Sequence, residues 1–267
     1  MMVKKYVKLL TETDDKTLDR IAEYEAIGRL NDHLEDAMAP YTPVEGDYNY
    51  FPKGTIKTFF QRHFFLKPLY RQTMKTFQIK VNGKENLQGI NAAIVCSNHV
   101  NKLDCLAVQY ACEPKKTYFT AAHFNNMQGF VGDMMRLGGM LPMGESFAAR
   151  KNLDSAITRF LNEGNFITFF PERAEWWGYE KPRPLLNGAY HFAVKNNVPV
   201  IPVFITFNQT EASKRDRKGI KQFVVNIGKP LYAPQGLSFN EAKEWLKNEN
   251  YKTNCAIYEQ FYGKKLH

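Results

Sequence analysis

A histidine and an aspartate five positions apart are the residues with the clearest chemical potential. His99 and Asp104 follow an apolar run at 92–97. On one continuous helix they would lie about 140° apart, on different faces. They can meet only if His99 lies in a turn and Asp104 in the first turn of the next helix. Asp104 could then accept a hydrogen bond from one imidazole nitrogen, leaving the other to take a proton from a hydroxyl. A helix cap is the competing interpretation of Asp104.

Three further motifs follow this pair along the chain. They are Gly144-Glu145-Ser146-Phe147-Ala148-Ala149-Arg150, Phe170-Pro171-Glu172 and Val198-Pro199-Val200-Ile201-Pro202. In this order, the four blocks resemble the glycerolipid acyltransferase family, typified by 1-acylglycerol-3-phosphate acyltransferases. The motifs of that family are H-x4-D, G-x-x-F-x-x-R, F-P-E-G and a V-P-I-I-P-V-like strand. The resemblance covers residues 77–207.

The resemblance implies an O-acyltransferase that uses no cofactor beyond its acyl substrate. His99 would be the general base that deprotonates the hydroxyl of a lysophospholipid such as 1-acylglycerol-3-phosphate. Asp104 would orient the imidazole. The acyl donor would be a thioester, either acyl-CoA or an acyl-carrier protein. The alternatives are a glycolipid acceptor, or a lipid-binding protein on the same scaffold without enzymatic activity.

The resemblance also implies the residues that bind the acceptor. Arg150 would bind its phosphate, since a guanidinium can hold two phosphate oxygens at once. Gly144 and Phe147 would shape that loop, and Glu172 would position the polar groups of the acceptor. Arg173 departs from the family pattern because it stands where the family has glycine. It could bind phosphate or an oxyanion, or it could face water.

Aromatic residues crowd the segment after this departure. Trp176, Trp177 and Tyr179 could stack on a sugar-like head group, lie at a membrane interface or simply pack in the protein. The sequence leaves these three interpretations open.

Positive charge is concentrated in one segment of the chain. The formal net charge is +9, yet residues 1–50 hold 6 basic and 11 acidic residues, a net of −5. Residues 51–80 hold seven basic residues, no acidic one and seven aromatic ones. This composition predicts contact with an anionic membrane surface. The residues expected at that surface are Lys57, Phe60, Arg62, Phe64, Lys67 and Arg71. Packing of the phenylalanines on the protein itself is the competing interpretation.

A second basic run lies at 214–218, between two predicted strands. It is typical of a solvated loop, but it could also bind a coenzyme phosphate or an acidic acyl carrier.

The order of apolar runs predicts an α/β fold with a mostly parallel sheet flanked by helices. Strands are expected at 92–97, 117–121, 140–143, 166–170, 200–207 and 222–228, and helices near 103–112, 129–137, 152–163, 188–197 and from about 240. Residues 1–76 are expected to form an N-terminal helical and basic-aromatic segment that contacts the membrane, and residues 77–267 the α/β acyltransferase domain. Within the first segment, Asp14 or Asp15 would cap a helix that continues to about Met38.

Several classes of protein are excluded by what the sequence lacks. No apolar run approaches the roughly 18 residues of a membrane-spanning helix. The four cysteines show no metal-binding spacing. No nucleic-acid-binding module, nucleophile elbow or dinucleotide fingerprint is present. We therefore expect a peripheral protein on the cytoplasmic face of the cell membrane, with no metal and no nucleic acid among its ligands.

Overall fold

One mixed sheet forms the centre of the protein. A computed structural model describes residues 13–34, 50 and 55–266. Within these residues the strands are β1 (Lys80–Asn82), β2 (Ala93–Ser97), β3 (Thr117–Ala122), β4 (Met140–Met143), β5 (Phe166–Phe169), β6 (Val200–Asn208) and β7 (Gln222–Ile227). Their order across the sheet is β1-β7-β6-β2-β5-β3-β4. All neighbouring strands pair in parallel except β6 and β7, which are antiparallel. The predicted mostly parallel α/β fold is confirmed.

The helices lie between the strands and before the sheet. They are α1 (Asp15–Ala26), α2 (Ile56–Gln61), α3 (Lys67–Phe77), α4 (Asp104–Cys112), α5 (Gly129–Leu137), α6 (Phe147–Asn162), α7 (Gly188–Lys195), α8 (Glu211–Arg215) and α9 (Phe239–Tyr262). A π-helical turn, Arg62–Leu66, joins α2 to α3. Pro68 lies in the first turn of α3, where its missing N–H costs no helical hydrogen bond. None of the described helices is both long and apolar enough to cross a membrane.

Strand β2 carries the residues that lead into the His99 turn, and it is buried on both faces. Ala93 and Val95 pack on one side with residues of α3 and α4. Ile94 and Cys96 pack on the other side with residues of α6, α7 and α9. A parallel strand covered on both faces reads as a continuous apolar run, which is why the sequence revealed it.

Strand β1 was not predicted from the sequence. Only one of its three residues, Val81, is apolar, and that residue is partly buried. It pairs with β7 at the edge of the sheet, opposite the β4 edge.

Helix α6 begins earlier than expected. We expected its start at Asn152 or Asp154, but Ser146 caps the helix by accepting a hydrogen bond from the N–H of Ala149 at 3.0 Å. The first buried residue of α6 is Leu153, so the apolar periodicity begins two turns after the helix itself. The correction places Arg150 in the first turn of a helix.

Helix α1 is capped by Asp14, as predicted, with Thr17 N–H donating to Oδ1 at 2.7 Å. It ends at Ala26, not near Met38 as the apolar spacing suggested. Gly28 follows in a left-handed conformation (φ 74°) that ends the helix. Residues 35–38 of the predicted helix lie outside the described residues.

Ion pairs join α1 to the basic run at 214–218. Arg217 contacts Asp15 at 2.7 Å and Asp19 at 2.8 Å, and Lys218 contacts Asp15 at 2.9 Å. Lys214 pairs with Glu211 in the same helix. Acidic residues of this chain thus pair with three cations of the run, whose side chains remain 35–60% exposed, as expected of a solvated surface.

The side chain of Asn98 extends the pairing of β2 with β6 up to His99. Its amide donates to the carbonyl of Ile205 at 3.0 Å, and its Oδ1 accepts from the N–H of Ile205 at 2.8 Å. Asn98 is 1% exposed, so water does not compete for these bonds. The chain can thus leave the sheet at Asn98 without unpaired polar groups.

Asn98→Ala should lower the free energy of unfolding by about 2–4 kcal/mol, because it leaves a buried donor and a buried acceptor of Ile205 unpaired. Chemical denaturation monitored by circular dichroism measures the change. Asn248→Ala, on the exposed face of α9, is the matched control and should change stability by less than about 0.5 kcal/mol. Equal effects of the two substitutions would contradict this role of Asn98.

Candidate active site

His99 and Asp104 meet in the way the sequence analysis required. His99 lies in the turn after β2, and Asp104 is the first residue of α4. The imidazole Nδ1–H donates to Oδ2 of Asp104 at 2.7 Å. The His99 side chain is 24% exposed and that of Asp104 is 1% exposed. No hydrogen-bond partner for Nε2 occurs among the described residues, so this nitrogen can receive a proton from a substrate.

Backbone amides hold the Asp104 carboxylate in place. Oδ2 also accepts hydrogen bonds from the N–H of Val100 at 2.9 Å and of Asn101 at 3.3 Å. Asn101 in turn accepts from the N–H of Leu103 at 3.0 Å, a local turn that directs the chain into α4. The carboxylate thus holds both the turn before α4 and the imidazole. Asp104 does not cap the helix, because the N-cap of α4 is Leu103, without a side-chain hydrogen bond.

The electrostatic surroundings raise the pKa of His99. Burial acts to lower this pKa, but the charge of Asp104, its hydrogen bond and the charge of Glu175 together outweigh burial. The raised pKa makes the imidazole a stronger base than an exposed histidine. The ring of Phe170 stacks on the imidazole with centroids 4.4 Å apart, which restricts its rotation.

The side chain of Glu172 contacts the backbone of His99, and Glu172 is 1% exposed. Its Oε2 accepts from the backbone N–H of His99 at 3.2 Å and from Nη2 of Arg183 at 2.8 Å. Its Oε1 accepts from the backbone N–H of Arg183 at 3.0 Å. Donors of the protein itself contact both oxygens, and through them Glu172 holds the backbone of His99.

Arg183 is a positioning residue that the sequence analysis missed. Its side chain is fully buried, and its guanidinium donates to the carbonyls of His99 at 3.1 Å, Ala174 at 2.6 Å and Leu30 at 3.1 Å. It also lies over the ring of Trp176, 4.7 Å from the centroid. No spacing rule connects an arginine between two prolines to a histidine 84 residues earlier.

Glu175 was also missed. Burial raises the pKa of this carboxyl, and the nearby His99 opposes that shift. The two groups are therefore close enough to influence each other's protonation. The only signal in the sequence was its position three residues after Glu172 in the loop that follows β5.

Arg173 keeps the backbone conformation that a glycine would favour. Its φ is 71°, in the left-handed region that costs a non-glycine residue about 1 kcal/mol or more. The side chain is exposed. Of the aromatic residues that follow, Trp176 is fully buried, and Tyr179 packs against it with ring centroids 5.1 Å apart. For these two residues, packing within the protein is the interpretation that the contacts favour.

The G-x-x-F-x-x-R motif lies where β4 leads into α6. A Cβ atom on Gly144 would lie 2.2 Å from the Cβ of Ala149, so only glycine fits this close approach. Phe147 is 84% exposed and Arg150 is exposed in the first turn of α6.

Because β2 and β4 are parallel, His99 and Arg150 follow strand ends at the same edge of the sheet. Three strand spacings, about 14 Å, separate β2 from β4.

Comparison with family models decides the kind of protein. Residues 78–206 match the model described as Acyltransferase, and this range contains all the motifs discussed above. The match covers 129 of the 267 residues and identifies residues 78–206 as an acyltransferase region. The resemblance inferred from the four sequence motifs is confirmed.

A solved structure shares the fold of this acyltransferase. It is the crystal structure of the 1-acyl-sn-glycerophosphate (LPA) acyltransferase PlsC from Thermotoga maritima, with a TM-score of 0.52 and 19% sequence identity. The similarity covers 79% of this chain and 88% of that chain. A search of curated protein sequences gave no match.

Among the described residues, no group of three His, Cys, Asp or Glu side chains is arranged to hold a metal ion. The side chains at the His99 turn are those of acid–base and anion-binding chemistry.

Asp104→Asn should move the acidic limb of the kcat/KM profile to lower pH. His99 acts as a base only when unprotonated, so in the wild-type enzyme activity should rise with pH through a pKa above the ordinary value of about 6.5. Removing the Asp104 charge leaves burial and the charge of Arg183, which lower the pKa of His99, opposed by Glu175. The plateau rate should fall by about 10²–10⁴ because the imidazole is less basic and less well oriented.

The measurement is the pH dependence of acyl transfer between pH 5 and 9. Asp154→Asn, on the surface of α6, is the matched control and should leave the profile unchanged. An unmoved limb in Asp104→Asn would show that Asp104 does not set the protonation of the base.

Proposed function

We propose that this enzyme transfers a fatty acyl group from an acyl thioester to the hydroxyl of a lysophospholipid such as 1-acylglycerol-3-phosphate. The observation that carries the proposal is the 2.7 Å hydrogen bond from His99 Nδ1–H to Asp104, in a side chain that is 24% exposed and whose Nε2 has no partner among the described residues. The Thermotoga maritima protein of similar fold, described as an LPA acyltransferase, supports this choice of acceptor.

The proposed reaction needs no covalent enzyme intermediate. Nε2 of His99 removes the proton from the acceptor hydroxyl as its oxygen attacks the thioester carbonyl carbon. The Asp104 carboxylate stabilises the imidazolium that forms. When the tetrahedral intermediate collapses, the carbon–sulfur bond breaks and the imidazolium gives its proton to the leaving thiolate. The products are the ester and a free thiol, either CoA or a carrier protein.

Acceptor binding is proposed for the residues that follow β4 and β5. The exposed guanidinium of Arg150 is available to an anionic head group, and Gly144 and Phe147 set the shape of its loop. Arg173 is available at the turn beside Phe170. Glu172 contributes indirectly, by holding the backbone of His99.

We also propose that α2, the π-helical turn and α3 bind a membrane surface. The six residues expected there, Lys57, Phe60, Arg62, Phe64, Lys67 and Arg71, are all exposed. Phe60 and Phe64 stack on each other and are 53% and 70% exposed, so they do not pack on the protein as the competing interpretation required. This segment contacts α5 through Phe65, whose ring centroid lies 4.7 Å from that of Phe130. Placement on the cytoplasmic face stays a prediction.

His99→Ala should reduce acyl transfer by at least about a hundredfold, the usual cost of losing a general base. A radiolabelled acyl-thioester assay against a panel of lysolipids, with CoA and carrier-protein donors compared, measures the loss and names both substrates. His191→Ala removes an exposed histidine on α7 and should keep the wild-type rate. Wild-type turnover in a folded His99→Ala variant would remove His99 from the mechanism.

Replacing Phe60 and Phe64 together by alanine should weaken binding to vesicles containing anionic lipid by about tenfold or more, because two aromatic side chains no longer enter the acyl boundary. Co-sedimentation measures the binding, which should also weaken as salt is raised. Phe239→Ala removes a phenylalanine of α9 that is 41% exposed, and it is the control. Unchanged binding of the double variant would place the membrane contact elsewhere.

A further inference from the structure

We propose that Arg173 and His33 together form an anion site beside His99, and that this site binds the phosphate of the acceptor during acyl transfer. The inference rests on the proposed acyltransferase function. It assigns a role to His33, a residue of the N-terminal segment that no sequence motif includes. It also gives a function to the arginine that replaces the family glycine.

Arg173 is connected to the catalytic histidine through a single residue. Its backbone N–H donates to the carbonyl of Phe170 at 3.0 Å, and the ring of Phe170 stacks on His99 with centroids 4.4 Å apart. The guanidinium is exposed and has no hydrogen-bond or ion-pair partner among the described residues. The chain thus tolerates an unfavourable φ of 71° at a residue whose cation is unpaired and whose backbone is bonded to the residue that stacks on the imidazole.

The N-terminal segment brings His33 to the same turn. The side-chain amide of Asn31 donates to the carbonyl of Glu172, the residue before Arg173, at 3.0 Å. The indole N–H of Trp176 donates to the carbonyl of Asp32 at 3.1 Å. The ring of His33 then contacts Phe124, which follows β3, with centroids 5.8 Å apart. His33 is thereby fixed between the Arg173 turn and the end of β3.

The charges around His33 favour an anion. Burial, and after it the charges of Arg173, His99 and Arg183, lower the pKa of His33. Asp32 acts in the opposite direction, but Arg29 already pairs with it. Asp104 and Glu172 are likewise engaged, with His99 and with Arg183. The carboxyl of Glu175 acts on His99, so Arg173 is left with no carboxylate partner among the described residues, and its charge is available to a phosphate.

The chemistry of the acceptor favours this position over Arg150. In a glycerol phosphate the phosphorus lies only a few bonds from the reacting hydroxyl, so the phosphate must lie close to His99. Arg173 follows β5, which pairs directly with β2. Arg150 follows β4, about 14 Å away across the sheet. Arg173 thus follows the strand nearer to His99, and Arg150 is left as a more distant contact of the head group.

Kinetics on two acceptors test the inference. Arg173→Gly keeps the backbone conformation and removes the cation, and His33→Phe keeps the ring contact with Phe124 and removes the hydrogen-bond donor. Each should raise KM for 1-acylglycerol-3-phosphate about ten- to hundredfold, the effect of losing one charge-assisted hydrogen bond. For monoacylglycerol, which lacks the phosphate, KM should not change. Arg173→Lys should restore part of the affinity.

Two comparison variants make the result specific. Lys84→Ala removes an exposed charge near the C-terminal end of β1, at the opposite edge of the sheet, and should leave both KM values unchanged. Arg150→Ala should raise KM for the phosphorylated acceptor less than Arg173→Gly does. The opposite order, or unchanged KM in a folded Arg173→Gly variant that still transfers acyl groups, would overturn the inference while leaving the proposed function intact.

A binding measurement separates failure of the site from failure of the proposed function. Glycerol 3-phosphate added to the full-length protein should shift the imidazole NMR signals of His33, and Arg173→Gly should weaken this binding about tenfold or more. The shift does not depend on acyl transfer. Binding without any transferase activity would refute the proposed function alone, whereas no binding to the wild-type protein would refute the anion site.

Discussion

The active site depends on one charged pair sealed inside the protein. Glu172 and Arg183 are 1% and 0% exposed and lie 2.8 Å apart. Both side chains also contact the backbone of His99. A buried pair recovers its cost of desolvation only when every remaining polar atom is also paired. Here the extra partners are the N–H and C=O of His99 and the carbonyls of Ala174 and Leu30. The same bonds that satisfy the charges therefore fix the histidine.

The central strands and the His99–Asp104 contact could be predicted from the sequence because both are encoded locally. Buried parallel strands are continuous apolar runs, and a spacing of five residues leaves one arrangement in which the two side chains meet. The short edge strand β1 and the start of α6 were missed because their residues are exposed and carry little apolar signal.

The surroundings of His99 could not be predicted, because distant parts of the chain supply them. Glu172, Arg183 and the segment at 30–33 come together through hydrogen bonds between backbone and side chains, which leave no periodicity in the sequence. The F-P-E motif drew attention to Glu172 as a residue that would position the acceptor. Its burial, and hence its partner, became visible only in three dimensions.

The bond from Arg183 to the carbonyl of Leu30 joins residues 153 positions apart. During synthesis on the ribosome, the early segment that supplies Leu30 and Asn31 must wait until most of the polypeptide has emerged before it can dock. Contacts of such long range form slowly, since loop closure must precede them. Docking of this segment is therefore expected to be slow, as is the pairing of β1 with β7 across a similar stretch of chain.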